Sequence, residues 1–246
     1  MNLAIDIGNT TIKAGKFQGA RLVKQLICKP DDFNKLNMLT DKKSAGNGYA
    51  IVSAVRDYPA GLIAWLKKRY KLVFLKGGTP LPFKSEYKTP QTLGPDRIAG
   101  IAAAHHLYAG KNSLVINAGT CITIDFISGK GVYKGGSISP GVEMRFKALH
   151  TFTARLPLIT PDKTFGDLKG KTTRESILSG VQRGVIEELN GIVEAYSARY
   201  KEMQVIVTGG WHEWLKKQMR RKIISEPFLT LQGLNVILTF CLSQEK

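Results

Sequence analysis

The chain is poor in the features that mark several classes of protein. Its 246 residues include three cysteines, Cys28, Cys121 and Cys241, which stand far apart without CxxC spacing. The sequence therefore predicts neither a zinc site nor a disulfide framework. No apolar run is long enough to span a membrane, and the first residues enter a strand-like pattern without the basic and apolar regions of a signal peptide. We expect a cytoplasmic, unprocessed protein with no membrane partner.

Acidic residues are also scarce, since 19 Asp and Glu face 36 Lys and Arg and leave a formal net charge of +17. Such an excess could attract nucleic acid, a membrane surface or anionic small molecules. The basic residues are scattered, as in 67–69, 216–217 and 220–222. A solvated basic face is the simpler interpretation, and a polyanion-binding surface is the alternative. Because no known nucleic-acid motif is present, we do not expect nucleic acid as a partner.

One phrase occurs twice, as Leu3-Ala4-Ile5-Asp6-Ile7-Gly8-Asn9-Thr10 and as Leu114-Val115-Ile116-Asn117-Ala118-Gly119-Thr120. In both, an apolar run stops at a short polar residue, crosses a Gly and a Thr, and resumes as a second apolar run. The repeat predicts two related halves, which we divide near the 109–112 turn into domains 1–110 and 111–246. Each glycine lets backbone N–H groups approach an anion, and each threonine adds a hydroxyl. The repeat predicts two phosphate-holding turns that face one another across a cleft.

Strand and helix patterns follow one another along the chain. The predicted strands are 2–7, 11–17, 22–27, 49–55, 72–75, 114–118 and 205–208, and the predicted helices are 59–70, 95–108, 140–152, 173–200, 211–222 and 231–242. The stretches 77–93 and 157–170 are predicted to be loops. Trp65, Trp211 and Trp214 fall on helical segments and are predicted to be packing residues.

The first candidate for chemistry is Asp6, at the carboxyl end of the first strand. Its carboxylate could hold a water on Mg²⁺, while Asn9, Thr10 and Thr11 face phosphate oxygens. Lys13, on the next strand, could add a positive charge for the same phosphates. The alternative is an ordinary hairpin turn, since such turns favour these residues.

The second candidate is the segment 89–97, in which Asp96 and Arg97 follow a proline at the start of a helix. The helix dipole favours an ionised Asp96, which could accept a hydrogen bond from a substrate hydroxyl and orient it for attack. Arg97 has the planar fork that suits a substrate carboxylate. The alternative makes Asp96 a helix-start residue and Arg97 a surface charge.

Two further turns could hold nucleotide. Thr120 follows the second copy of the repeated phrase and could donate to a phosphate, with the glycines of 135–141 allowing close backbone approach. Gly209 follows a buried-type strand, where the backbone could lie flat against an adenine ring. Ordinary turn chemistry would explain each of these turns by itself.

Taken together, these motifs resemble the type III pantothenate kinases of the acetate and sugar kinase, Hsp70 and actin superfamily. The resemblance covers nearly the whole chain, and the order and spacing of its short motifs make it specific. The motifs are Asp6 to Thr10, Thr89 to Arg97, Ala118 to Asp125, Gly135 to Gly141, Ala148 to Pro157, Thr173 to Gly180 and Leu229 to Leu234.

The resemblance implies two ribonuclease H-like (actin-like ATPase) domains, with mixed sheets flanked by helices and a cleft between the domains. It implies ATP-dependent phosphorylation of pantothenate on its primary hydroxyl, the first committed step toward coenzyme A. A divalent metal such as Mg²⁺ and a monovalent cation, K⁺ or NH₄⁺, are the implied cofactors. The implied assembly is a homodimer with the substrate pocket near the interface.

The resemblance also implies roles for individual residues, with Asp96 as the proton acceptor. The implied ATP-binding residues are Asp6, Ile7, Gly8, Asn9, Thr10, Thr11, Ile12, Lys13 and Thr120. The implied pantothenate-binding residues are Tyr87, Gly94, Pro95, Asp96, Arg97 and Thr173.

Asn117 departs from the family pattern, because the family usually has an Asp at this position, where the resemblance implies a ligand of the monovalent cation. An Asn amide oxygen can still coordinate a hard cation but supplies no charge, so we expect weaker cation binding. Two alternatives remain open. One is a regulatory or binding protein with weakened catalysis on the same fold, and the other is a kinase of another small alcohol.

Overall fold

The computed structural model of the protein describes residues 1–40 and 48–244. Its strands are, in chain order, β1 (Asn2–Ile7), β2 (Ile12–Gln18), β3 (Arg21–Cys28), β4 (Gly48–Ala54), β5 (Tyr70–Phe74), β6 (Lys84–Ser85), β7 (Ser113–Ala118), β8 (Cys121–Ile127), β9 (Val132–Pro140), β10 (Gln204–Thr208) and β11 (Ile224–Ser225). Its α-helices are α1 (Leu62–Lys67), α2 (Pro95–Leu107), α3 (Val142–Thr151), α4 (Thr173–Leu178), α5 (Gly184–Arg199), α6 (His212–Gln218) and α7 (Leu229–Gln244). Short 3-10 helices cover Pro30–Leu39 and Pro90–Thr92, and a π-helical segment, Ser179–Arg183, joins α4 to α5.

The structure confirms the predicted α/β class with mixed sheets flanked by helices. The predicted helix over 59–70 is shorter, because only Leu62–Lys67 is α-helical. The predicted loop over 77–93 contains β6 and a 3-10 turn. The predicted single helix over 173–200 is three successive helical segments, since the π-helical turn interrupts the α-helical pattern.

The described residues form two compact units. The first unit contains Met1–Gly110, Ile127–Gly135 and the C-terminal segment from Phe228, and the second contains Lys111–Phe126 and Gly136–Pro227. The chain passes from the first unit to the second after Gly110. The C-terminal helix α7 groups with the first unit, although the sequence places it in the second domain.

The first unit is built on a five-stranded sheet of order β3-β2-β1-β4-β5. Strand β1 is antiparallel to β2 and parallel to β4, so the sheet is mixed. On one face, the apolar side chains of β1 pack with α1 and the first 3-10 helix; this core includes Leu3, Ile5, Leu36 and Leu62. The opposite face carries α7, which also packs along α2.

The packing of α2 on α7 depends on a close approach at Gly233. A Cβ atom at this position would overlap the backbone carbonyl oxygen of Ala99 in α2. The facing stretch of α2 is rich in buried alanines, namely Ala99, Ala102 and Ala103. Small residues on both helices therefore hold the start of α2 close to the sheet.

The second unit is built on parallel strands β7 and β10, with β11 parallel to the outer side of β10; it also holds β8 up to Phe126 and β9 from Gly136. Its core contains side chains of these strands together with α3, α5 and α6, among them Ile116, Phe146, Leu189 and Trp214. The polar turns that follow β7 and β10 meet at the same edge of this sheet, because the two strands are parallel. Among the described residues, no helix is long and apolar enough to cross a membrane.

Candidate functional site

The sheet register of the first unit places three polar side chains on the face that carries α2 and α7. Asp6 pairs with Lys13 on β2 and with Ser53 on β4. Side chains of directly paired residues point to the same face of a sheet, and Gly15, on that same face of β2, approaches Leu231 of α7. The Ser53 hydroxyl donates to the Asp6 carboxylate over 3.1 Å. The end of β1 therefore presents a half-buried carboxylate next to a lysine and beneath the helices.

Asp96 lies in the first turn of α2, as the sequence predicts. It is close enough to Asp6 for the two negative charges to interact. Burial, and then the charge of Asp96, raise the pKa of Asp6 from 3.8 to about 6, while Lys13 and the Ser53 hydrogen bond act in the opposite direction. The first unit thus brings Asp6, Lys13 and Asp96 into one electrostatic cluster. We refer to these three residues as the carboxylate cluster.

The turn between β1 and β2 is closed by its own backbone. The Gly8 N–H donates to the Thr11 carbonyl over 3.0 Å, so this donor is already used. Asn9 and Thr10 are exposed. Arg56, just after β4, donates to the Asn9 carbonyl over 3.1 Å. The turn therefore projects exposed polar groups beside the carboxylate cluster, with a guanidinium against it.

Arg97 is buried rather than a surface charge, with 6% of its area exposed. Its Nη2 donates to the Tyr133 hydroxyl over 3.1 Å, and its guanidinium carbon lies 5.7 Å from the centre of the Tyr87 ring. The Tyr87 and Tyr133 rings stack with centroids 5.9 Å apart. Two of the predicted substrate residues, Tyr87 and Arg97, therefore lie together in an aromatic cage at the start of α2.

In the second unit, the turn after β7 carries Asn117 and Thr120. Its glycine N–H is also used within the turn, but the turn is tighter than the first, because the Gly119 N–H donates to the Cys121 carbonyl two residues on, over 3.0 Å. Thr120 is exposed. A Cβ atom at Gly119 would lie 3.9 Å from the Asn117 Oδ1, so this amide oxygen lies alongside the turn.

Gly209 joins this group through the parallel pairing of β10 with β7, in which Thr208 faces Asn117. Its φ is +91°, in the region that favours glycine, and a Cβ atom there would overlap the backbone of Ala118. The close approach of the two turns thus requires a glycine at 209. The structure brings together the predicted residues Asn117, Thr120 and Gly209 within the second unit.

Thr173 lies apart from these turns along the chain, as the first residue of α4. The preceding Thr172 caps this helix by accepting the Glu175 N–H over 3.2 Å, and the Glu175 carboxylate accepts the Lys171 N–H over 2.7 Å. Thr173 lines a groove of about 1090 Å³ between α3 and α4. The walls of this α3–α4 groove are largely apolar and include Leu149, Phe152 and Ile177.

Three residues that contact the predicted ones could not be predicted from the sequence. Ser53 sits at the end of an apolar run, and its only sequence signal is its place at the end of a predicted strand. Tyr133 is 36 residues from Arg97, and nothing in the local sequence links them. Arg56 is a single basic residue after a strand, a pattern too common to single out.

Among the described residues, no three His, Cys, Asp or Glu side chains form a cluster that could hold a metal by themselves. A divalent ion bound through phosphate oxygens and water needs only one or two carboxylates from the protein. Asp6 fits that role, because burial and the charge of Asp96 disfavour its ionised form and a cation would stabilise it.

Comparisons with known proteins identify relatives of this chain. The model of the type III pantothenate kinase family matches residues 2–195. A type III pantothenate kinase of Christiangramia forsetii is 47% identical over 98% of both chains. A solved Campylobacter jejuni structure, named for the Baf family of transcriptional activators, has a TM-score of 0.65 at 22% identity and covers 98% of this chain and 99% of its own.

The fold is also shared with sugar kinases. A ROK family glucokinase of Streptomyces griseus, solved with glucose and AMPPNP, has a TM-score of 0.52 at 11% identity, over 98% of this chain and 99% of its own. At such identities the structural likeness shows the fold alone. The family match over most of the chain shows more: the chain belongs to the type III pantothenate kinase family.

Proposed function

We propose that this protein transfers the terminal phosphoryl group of ATP to the primary hydroxyl of pantothenate, the first step of coenzyme A biosynthesis, with Asp96 as the proton acceptor. The observation that carries the proposal is the carboxylate cluster. Asp96 lies in the first turn of α2, close to Asp6 of β1, which pairs with Lys13 of β2. One carboxylate can therefore serve the acceptor while the other serves the metal–nucleotide complex.

Asp96 acts on the hydroxyl of the acceptor. Its place in the first turn of α2 favours the ionised carboxylate, which accepts the hydroxyl hydrogen bond and takes the proton as the phosphoryl group transfers. Phosphoryl transfer needs little covalent chemistry from the protein, so its rate depends on positioning and charge. The close packing of α2 on α7 at Gly233 supplies that positioning.

ATP binding is assigned to the turns at the ends of β1 and β7. Residues Asp6 to Lys13 and Thr120 would hold the phosphates, and Gly209 would face the adenine. A bound Mg²⁺ would neutralise phosphate charge, and Asp6 would hold it through water. Lys13 adds a positive charge to the same face of the sheet.

A monovalent cation is assigned to Asn117, beside the Gly119 turn. Its neutral amide oxygen can accept K⁺ or NH₄⁺ as a ligand but cannot offset the charge of the ion. The position thus fits a weakly held cation. The exposed Thr120, three residues later, would contact the nucleotide phosphates close to this cation.

Pantothenate is assigned to the start of α2, with Gly94, Pro95, Arg97 and Tyr87 lining its pocket. The buried Arg97 supplies a positive charge to this region, and its bond to Tyr133 limits the orientations of its guanidinium. A fixed guanidinium fork suits the carboxylate of pantothenate. The aromatic cage gives the apolar part of the substrate a surface to contact.

We further propose that the protein works as a homodimer in the cytoplasm and that the partner copy covers the α3–α4 groove. Phe152 in this groove is 85% exposed, and Leu158 and Leu168 of the adjoining loop are 56% and 69% exposed. Apolar surface of this kind is typical of protein interfaces. Thr173 lines the same groove, which would place it at a substrate pocket near the interface.

Mass spectrometry of the reaction products tests the proposed acceptor. The protein is incubated with ATP and Mg²⁺ and with either pantothenate or pantothenol, in which an alcohol replaces the carboxylate. We expect phosphorylated pantothenate and at least tenfold less phosphorylated pantothenol, since the Arg97 ion pair is lost. Phosphorylation of both at equal rates would favour a kinase of another small alcohol.

A further inference from the structure

Trp211 is a packing residue by its burial, with 5% of its area exposed, yet it also makes two directed hydrogen bonds. Its backbone N–H donates to the Ala118 carbonyl over 3.3 Å. Its indole N–H donates to both carboxylate oxygens of Glu143, each over 3.0 Å. One residue thus joins the turn after β10 to the end of β7 and to the first turn of α3.

Glu143, which accepts the indole N–H, lies in the first turn of α3. Helix α3 begins at Val142, and the N–H of the preceding Gly141 donates to the Thr120 carbonyl over 3.1 Å. A carboxylate in the first turn is favoured by the helix dipole. Since Glu143 and Gly141 belong to one helix start, the indole bond to Glu143 also restrains the backbone that holds Thr120.

Two neighbouring side chains contact the Trp211 indole and restrict its position. The Trp214 ring packs edge-on against Trp211 with centroids 5.2 Å apart. The Lys163 ammonium lies 4.6 Å from the centre of the Trp211 ring. The indole is therefore held in place by packing, and a hydrogen bond to a charged acceptor is stronger than one between neutral groups.

We propose that Trp211 and Glu143 are positioning residues for ATP, because their hydrogen bond sets the spacing between the Gly209 turn and the Thr120 turn. This inference rests on the proposed function, in which those two turns contact the adenine and the phosphates. Neither side chain needs to touch the nucleotide. The pair acts by keeping two short backbone segments at the separation that one ATP molecule requires.

Steady-state kinetics of Trp211→Phe and Glu143→Ala test the pair. Each substitution removes one partner of the hydrogen bond, so we expect the KM for ATP to rise about tenfold. The KM for pantothenate stays within about twofold. The double variant raises the KM for ATP no further than either single variant, because both remove the same interaction. Glu143→Gln, which keeps an acceptor oxygen, recovers most of the ATP affinity.

Trp65→Phe is the matched control. Its indole N–H also donates to a side-chain oxygen, that of Asn37 over 3.2 Å, but this bond joins α1 to the first 3-10 helix, and neither residue is assigned to ATP. We expect unchanged KM values for this variant. The melting temperature of each variant is measured alongside, since a merely structural bond would lower stability without changing the KM for ATP.

The possible results distinguish a failure of the proposed function from a failure of the positioning role alone. If the wild-type protein does not phosphorylate pantothenate, the proposed function fails. If the wild type is active but Trp211→Phe and Glu143→Ala keep its KM for ATP, or change the KM values for both substrates equally, the positioning role is wrong. Independent, multiplying effects in the double variant would also contradict it, because they would show that the two residues act separately.

Discussion

At the scale of single residues, the protonation state of Asp6 that stabilises the fold differs from the state that the proposed function requires. Its pKa is raised to about 6 by burial and by the charge of Asp96. A carboxyl with a raised pKa stabilises the fold while it is protonated and loses that contribution as pH rises through its folded value. The ionised form that a metal–nucleotide complex needs is therefore the form that the folded protein by itself disfavours.

The substitution Asp6→Asn makes this conflict measurable. We expect the variant to be more stable than the wild type above pH 6, by at most about 3 kcal/mol, and equally stable below pH 4, where Asp6 is protonated. Melting temperatures between pH 4 and pH 8, without Mg²⁺ or nucleotide, provide the test. A stability difference that does not change with pH would contradict the assigned pKa.

Asn117 is the residue proposed to hold the monovalent cation. A neutral amide holds a monovalent cation less strongly than a carboxylate does, so Asn117→Asp should increase the stimulation of activity by K⁺. Initial rates are measured against KCl concentration at constant ionic strength in both proteins. Identical potassium dependence would argue against a cation at this position.

At the scale of elements, the contact between α2 and α7 positions Asp96. We expect Gly233→Ala to lower the free energy of unfolding by about 3 kcal/mol, because the added methyl group overlaps the Ala99 carbonyl and the helices must separate. The rate of phosphoryl transfer should fall as well, since α2 carries Asp96. Chemical denaturation and initial rates give the two measurements.

Gly191→Ala is the control for this substitution. Gly191 lies within α5, and nothing lies within 4 Å of the position that its Cβ would occupy. Alanine there should stabilise the protein by about 0.5–1 kcal/mol through helix propensity alone. Equal effects of the two substitutions would mean that the approach of α2 to α7 is not tight.

The elements also show which parts of the fold can be predicted from the sequence. The strand–turn–strand repeats and the helix at 95–108 were predictable, because Gly, Pro and apolar periodicity act locally. The two-residue strand β6 was not, since it exists only through its pairing with Val132 and Tyr133 of β9. The π-helical turn at 179–183 likewise leaves no break in the apolar pattern.

In the candidate site too, residues beside local sequence signals could be predicted, and residues brought in by distant strands could not. Asp6, Asp96 and Thr120 stand next to Gly or Pro signals in the sequence, so their turns and helix start could be predicted. Ser53 and Tyr133 belong to the site only because separate strands bring them to it. Trp211 was predicted to be a packing residue, and its bond to Glu143, 68 residues away, has no local signal.

At the scale of the whole molecule, the homodimer is a prediction about the α3–α4 groove. We expect Phe152→Glu to shift the protein from dimer to monomer at micromolar concentrations, because a carboxylate would be buried against apolar surface. Light scattering during gel filtration gives the mass. Met38→Glu, at a side chain 61% exposed in the first unit, is the control and should stay dimeric. A dimeric Phe152→Glu protein would place the interface elsewhere.

The carboxylate cluster is proposed to catalyse phosphoryl transfer from ATP to pantothenate. The most direct measurement is ADP release in the presence of Mg²⁺ and K⁺, with and without pantothenate, by the wild type and by Asp96→Asn. We expect ADP release that requires pantothenate and falls by about 10²–10⁴-fold in the variant. Wild-type turnover no greater than that of Asp96→Asn would contradict the account.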